Sequence, residues 1–231
     1  MQIPVSSTDA WARRCAAVAR RWETEYTRAV VDLPAEIEQT ELFRDWAAGR
    51  LSSRIASPFW ELARFRKGQD VLDLGCGFSF LIYPWRDWEV RFWGQEIAAT
   101  PRQTLQQRGP QLNSKLFKGC RAHPAHQLDY PTASFDWVVI TGVTPYFPLD
   151  YWQRVLAQLK PLLRPGGQVL LDVLDPASEL ADPWSLLELY LGAEVETVSL
   201  DDWQALFKAS GWSVAAEREG ALFRLLRLKA A

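Results

Sequence analysis

Val71-Leu72-Asp73-Leu74-Gly75-Cys76-Gly77 is an apolar, strand-forming run that breaks into Gly-x-Gly. Val71, Leu72 and Leu74 suit a parallel strand buried on both faces. Glycine at 75 and 77 permits a tight turn and close backbone approach to a ligand. Helix-compatible residues follow from Phe78 to about Trp85. A strand that turns on glycines into a helix N-terminus builds a site at the carboxyl edge of an open α/β sheet, where nucleotide-like molecules bind. The dinucleotide fingerprint would put a third glycine at position 80, and Phe80 stands there. Asp73, one residue inside the strand's end, repels a pyrophosphate and favours a cationic ligand. The expected ligand is adenosine-like and not polyanionic.

Strands and helices alternate from this run onward, which predicts a mainly parallel seven-stranded sheet with helices on both faces and an antiparallel C-terminal strand. Strands are expected at about 70–74, 89–94, 115–119, 135–141 and 167–174. Thr100-Pro101-Arg102-Gln103 combines an N-cap, a first-turn proline and a capping-box glutamine. A helix over about 150–163 stops at Arg164-Pro165-Gly166-Gly167. A helix over about 200–209 precedes a hairpin-like pair, Trp212–Ala216 and Ala221–Leu228. Ahead of the sheet, three helical segments are expected. The first covers about 8–31, capped by Thr8 or Asp9, with Trp11, Cys15, Val18, Trp22 and Tyr26 at helical spacing. The second runs from Pro34 toward Gly49, and the third from Ser57 to Phe65. Residues 1–60 read as a helical cap or lid over the carboxyl edge of a 61–231 domain. The alternative is that these helices cover the sheet's flank.

Net charge is −2 and the pI about 5.8, so no basic field steers the chain toward nucleic acid. No apolar run approaches the roughly 20 residues of a membrane span, and the N-terminus is not a signal peptide. Three cysteines, at 15, 76 and 120, form no disulfide framework and suggest reduced thiols in a cytoplasmic setting. Twelve tryptophans are an unusual total; core and lid packing accounts for most, and some suit an apolar or aromatic acceptor pocket.

Glu96, just past the second strand in Trp93-Gly94-Gln95-Glu96-Ile97, reaches the same edge as the glycine loop. A carboxylate there can accept hydrogen bonds from both hydroxyls of a ribose. Asp73-Leu74-Gly75-Cys76-Gly77 resembles the first motif of the class I (Rossmann-like) S-adenosylmethionine-dependent methyltransferases. The resemblance covers about residues 60–231 in order. It includes Phe135-Asp136-Trp137-Val138 in the fourth strand and the Leu163-Arg164-Pro165-Gly166-Gly167 signature before the fifth. It implies S-adenosylmethionine as cofactor, with Asp73, Gly75, Cys76, Gly77, Glu96, Ile97, Thr141 and Gly142 near it. Asp136, at the strand's entry, takes a structural role. One departure stands out: Gly119-Cys120-Arg121-Ala122 lacks the acid that holds the adenine amino group in this family. Backbone groups of 120–122, or Asp129, are the expected substitutes.

Methyl transfer needs an in-line approach and exclusion of water, so positioning carries much of the catalysis. The sequence assigns no catalytic residue; Tyr146, His123 and His126 are candidates by position, and Tyr146 or Tyr151 could orient an acceptor. Cys120-x-x-His123-x-x-His126 does not match a standard zinc spacing, and Pro124 prevents a helical face, so no metal is expected. Thr141-Gly142-Val143-Thr144-Pro145-Tyr146 resembles the family's small-molecule branch. The reading is therefore a methyltransferase acting on a small hydrophobic or aromatic molecule. Its rivals are a non-catalytic module of the same fold, which binds or regulates, and a nicotinamide-dependent oxidoreductase, against which Asp73 and the missing third glycine argue.

Overall fold

A computed structural model describes residues 7–29, 31–51 and 53–231. Five parallel strands, β1 (Asp70–Leu74), β2 (Arg91–Gln95), β3 (Phe117–Arg121), β4 (Phe135–Ile140) and β5 (Leu163–Leu174), form most of one sheet. A hairpin, β6 (Trp212–Glu219) and β7 (Phe223–Ala230), completes it, with β7 antiparallel to β5. The order is β3-β2-β1-β4-β5-β7-β6. Every residue of β1 is buried, because alternate side chains serve two cores. Leu72 and Leu74 join Val138, Ile140, Val169 and Leu171 on one face, while Val71 joins Val139, Leu170, Phe92 and Trp85 on the other.

The helices are α1 (Ser7–Tyr26), α2 (Ala35–Glu38), α3 (Glu41–Ala47), α4 (Ser53–Ala56), α5 (Ser79–Ile82), α6 (Ala99–Asn113), α7 (Leu149–Leu162), α8 (Ala181–Tyr190) and α9 (Leu200–Ala209). Several differ from the sequence expectation. The first helix ends at Tyr26 rather than near 31 and begins by Ser7, so Thr8 and Asp9, expected as its cap, lie inside it. The stretch from Pro34 to Gly49 is two helices, because Thr40 caps the second by accepting from the Phe43 amide at 3.0 Å. Ser57–Phe65 contains only a single 3₁₀ turn at Phe59–Glu61. The helix expected to reach Trp85 stops at Ile82, since Pro84 holds Tyr83 extended (φ −91, ψ 159). Helix α6 starts at Ala99, so Thr100 lies inside the first turn and its amide donates to Glu23 of α1. Strand β5 begins at Leu163, directly after α7, and absorbs Gly166 at φ +79 where an exposed turn was expected. Helix α8 was not anticipated; Pro183 in its first turn hides a helical pattern that buries Trp184 and Leu187.

Six of the tryptophans, Trp85, Trp137, Trp152, Trp184, Trp203 and Trp212, are buried. No helix among the described residues is long and apolar enough to cross a membrane.

The amino ends of the parallel strands are tied by charge. Asp70 accepts from Arg91 at 2.7 Å, Trp93 at 3.0 Å and Arg164 at 2.8 Å. Asp136 accepts from the Asp70 amide at 2.8 Å and pairs with Arg164. Burial favours the protonated form of Asp70, but the hydrogen bonds from Arg91, Trp93 and Arg164 outweigh it and hold its pKa at about 2. A carboxylate with a lowered folded-state pKa stabilises the fold above its unfolded value, and that contribution fades as pH falls through the folded one. In urea unfolding, Asp70→Asn should therefore be less stable than the parent at neutral pH. The gap between the two should shrink as pH falls from 3.8 toward about 2.

Candidate functional site

The glycine loop after β1 is wedged between β4 and the N-terminal helix. A Cβ on Gly75 (φ +66) would lie 2.3 Å from Val143 Cγ2. One on Gly77 (φ +50) would meet the Tyr26 hydroxyl of α1. Only glycine fits such contacts at positive φ. The loop is held from the end of β2: the Gln95 carbonyl accepts from the Gly75 amide at 2.8 Å and the Cys76 amide at 3.3 Å. The buried Glu96 carboxylate then takes the Gly77 amide on Oε2 and the Ala98 amide on Oε1, both at 2.8 Å.

These elements line a cavity at the carboxyl ends of β1 to β4. Leu74 and Gly75 line it from β1, Gln95, Glu96 and Ile97 from β2, and His123, Pro124 and Ala125 from the loop after β3. Thr141, Gly142 and Val143 line it after β4. Val18, Trp22 and Tyr26 of α1 also line it.

Of the sequence-predicted site residues, Gly75, Glu96, Ile97, Thr141 and Gly142 therefore line one cavity. Asp73, Cys76 and Gly77 do not. Asp73 is fully buried in β1, and the Cys76 sulfur packs in the core 3.6 Å from that of Cys120. Burial first, and Cys120 second, push the Cys76 thiol pKa well up, so it is held protonated. Gly77 contributes its amide to Glu96.

The catalytic candidates separate by environment. Tyr146 lines the cavity but is buried, and its hydroxyl donates to Glu188 of α8 at 2.9 Å. Burial, then the Glu188 carboxylate, push its pKa well above the ordinary tyrosine value, so it holds its proton. Tyr151 also lines the cavity, and burial raises its pKa in the same way. His123 stands exposed at the rim. His126 is not in the lining; it packs against Trp11 and Tyr151 at centroid distances of 5.4 and 5.1 Å. Burial, then Arg154, lower its pKa and favour the neutral ring. Among the described residues no group of three or more His, Cys, Asp or Glu side chains could hold a metal ion. Asp129 is exposed and pairs with Arg121.

Three features escaped sequence reasoning. Asp172 of β5, fully buried, accepts the Gly142 amide on both oxygens at 2.9 Å and so fixes the loop after β4. Arg21 and Glu188 tie α1 to α8 beside Tyr146. Gln95 is the third. It is 1% exposed, and its Nε2 donates to the Pro124 carbonyl at 2.8 Å, with the Gln127 carbonyl at 3.5 Å. Two carbonyl neighbours define which end of the amide carries the nitrogen. That leaves Oε1 buried with no hydrogen-bond partner among the described residues. Thr141 Oγ1 is in the same condition. The available signal was a polar residue at the end of a strand that is otherwise read as buried.

Residues 72–171 match a family model described as a methyltransferase domain. CymA of Salinispora arenicola (strain CNS-205), a probable nonribosomal peptide synthetase, is 29% identical over 153 residues, which is 64% of this chain and 2% of that protein. The tRNA U34 carboxymethyltransferase of Hydrogenovibrio crunogenus (strain DSM 25203 / XCL-2) is 30% identical over 156 residues, 61% of this chain and 42% of that one. The chain thus spans less than half the length of either relative. Among solved structures, geranyl diphosphate C-methyltransferase from Streptomyces coelicolor A3(2), in complex with Mg2+, geranyl diphosphate and S-adenosyl-L-homocysteine, shares the fold. The TM-score is 0.66 at 14% identity, covering 100% of both chains. The glycine loop and the strand order agree with the matched methyltransferase-domain model, which covers residues 72–171 of this 231-residue chain.

Proposed function

We propose that this chain binds S-adenosylmethionine in the cavity at the ends of β1 to β4 and transfers its methyl group to a small, hydrophobic or aromatic molecule. The observation that carries the reading is the unpartnered Gln95 Oε1. A buried acceptor without a donor costs about 1–3 kcal/mol, so a ligand that supplies an N–H there is favoured. An adenine amino group is such a donor, and Gln95 then replaces the acid missing after β3.

Other residues of the cavity fit the same ligand. A carboxylate oxygen can accept more than one hydrogen bond, so Glu96 can hold the loop amides and take ribose hydroxyls together. Ile97 offers an apolar surface to the adenine face. At Gly75 and Gly142 the backbone can approach the ligand without an intervening side chain. When bound, the cofactor supplies a sulfonium methyl electrophilic enough to react without a protein nucleophile. Trp22 and Tyr26 exclude water, and their rings favour the cationic centre. The loop after β4, fixed by Asp172, holds the reacting end in register. A small acceptor agrees with the net charge of −2 and with a lining in which, among the described residues, Glu96 is the one acidic or basic side chain of Asp, Glu, Lys or Arg type; neither suits a polyanion.

Calorimetric titration should show binding of S-adenosylmethionine and S-adenosylhomocysteine and none of NAD. Binding of neither adenosyl compound would leave the non-catalytic module as the better reading. Glu96→Ala should weaken S-adenosylhomocysteine binding by about 1.5–3 kcal/mol, the worth of charge-assisted hydrogen bonds. Gln95→Met should selectively erode the preference for S-adenosylhomocysteine over S-inosylhomocysteine, whose ring carries an oxygen where adenine carries the amino group. A purely structural loss at position 95 would weaken both ligands alike.

A further inference from the structure

A second chamber adjoins the first. It shares Trp22, Gly142 and Tyr146 with the cofactor cavity. Trp46, Trp184 and Phe223 add aromatic walls, and Arg21, Glu25 and Glu188 supply its charged groups. Arg21 is 2% exposed and engages both oxygens of Glu188 at 2.6 Å; it also pairs with Glu25. The Tyr146 hydroxyl donates to the same Glu188 carboxylate.

This arrangement discriminates by charge. Among the described lining side chains stand two carboxylates and one guanidinium. The guanidinium is committed to both carboxylates, so an anionic acceptor finds no unpaired cation among these described side chains. The one carboxylate in excess attracts positive charge, more strongly in a partly desolvated chamber than in water. Indole and phenol faces attract a cation as well. Positive charge is also what the chemistry moves. When a neutral nitrogen is methylated, charge passes from sulfur to that nitrogen, and a chamber that favours a cation there stabilises the transition state more than the ground state.

Resting on the reading of the first cavity as the S-adenosylmethionine site, we propose that this second chamber is the acceptor site and that it takes a small aromatic amine. The chamber holds the amine as its ammonium; the free base in equilibrium with it, its proton given to water, presents its nitrogen toward Gly142 and Tyr146. Its lone pair forms the new N–CH3 bond while the S–CH3 bond breaks, and that bond's electron pair stays on sulfur. S-adenosylhomocysteine results, and the product leaves as an ammonium that gives its extra proton to water after release. No protein base is consumed, in keeping with Tyr146, whose proton is already engaged by Glu188.

The test uses the full chain saturated with S-adenosylhomocysteine and titrated calorimetrically with tryptamine, tryptophol and indole-3-acetate. These probes present an amine, an alcohol and a carboxylate on one ring system. Tryptamine should bind about tenfold tighter than tryptophol, a difference of about 1.4 kcal/mol, and indole-3-acetate should bind weakest. Glu25→Gln removes the excess charge and should bring the tryptamine and tryptophol affinities together while S-adenosylhomocysteine still binds. Equal or inverted affinities in the parent chain, or a ratio unchanged by Glu25→Gln, would overturn the amine assignment alone. Failure of S-adenosylhomocysteine to bind would overturn this assignment and the methyltransferase reading together.

Discussion

The buried carboxylate of Glu96 is the constraint on which the site depends. An ionised group out of water is tolerated only when hydrogen-bonded, and Glu96 meets that condition through the amides of Gly77 and Ala98. One of these belongs to the glycine loop after β1 and the other to the start of α6. Ala98 has no side chain able to cap that helix, so the first-turn amides need outside acceptors. Glu96 serves one of them, and Glu23 of α1 serves Thr100. A single carboxylate at the end of β2 thereby couples the loop, the next helix and the geometry of the cavity mouth.

The N-terminal helix is bound to this arrangement by polar contacts as well as by packing. Arg14 donates to the Tyr146 carbonyl at 2.6 Å, Arg21 grips Glu188, and Glu23 reaches Thr100. Buried ion pairs of this kind add little net stability, because desolvation offsets most of the attraction. They are directional, however, and here they set the position at which Val18, Trp22 and Tyr26 close the cavity. Residues of α1 line both chambers.

Local chemistry made much of this legible. The strand-glycine run predicted β1 and its turn, and the apolar runs predicted the remaining strands to within a few residues. Glu96, Ile97, Thr141 and Gly142 follow strand ends, where an open parallel sheet places its ligands, and they line the cavity. Elements shaped by neighbours were harder. Helix α5 is cut short by Pro84 and turned back by Trp85, whose indole donates to Ser79. Helix α8 hides its pattern behind Pro183. Thr100 carries a capping signature but is captured by a glutamate 77 residues away in sequence.

The sequence by itself determined the order of the strands and the glycines at 75 and 77, since each follows from periodicity or from a steric demand within a few residues. Only the tertiary structure decided which of these groups face the cavity. Asp73 and Cys76 lie beside the glycines in sequence yet are buried away from the lining, whereas Gln95 lines the first cavity and Arg21 and Glu188 meet from distant segments beside the second. The physical reason is that hydrogen-bond satisfaction is settled by the whole assembly. Whether a buried oxygen such as Gln95 Oε1 finds a donor depends on every element packed around it.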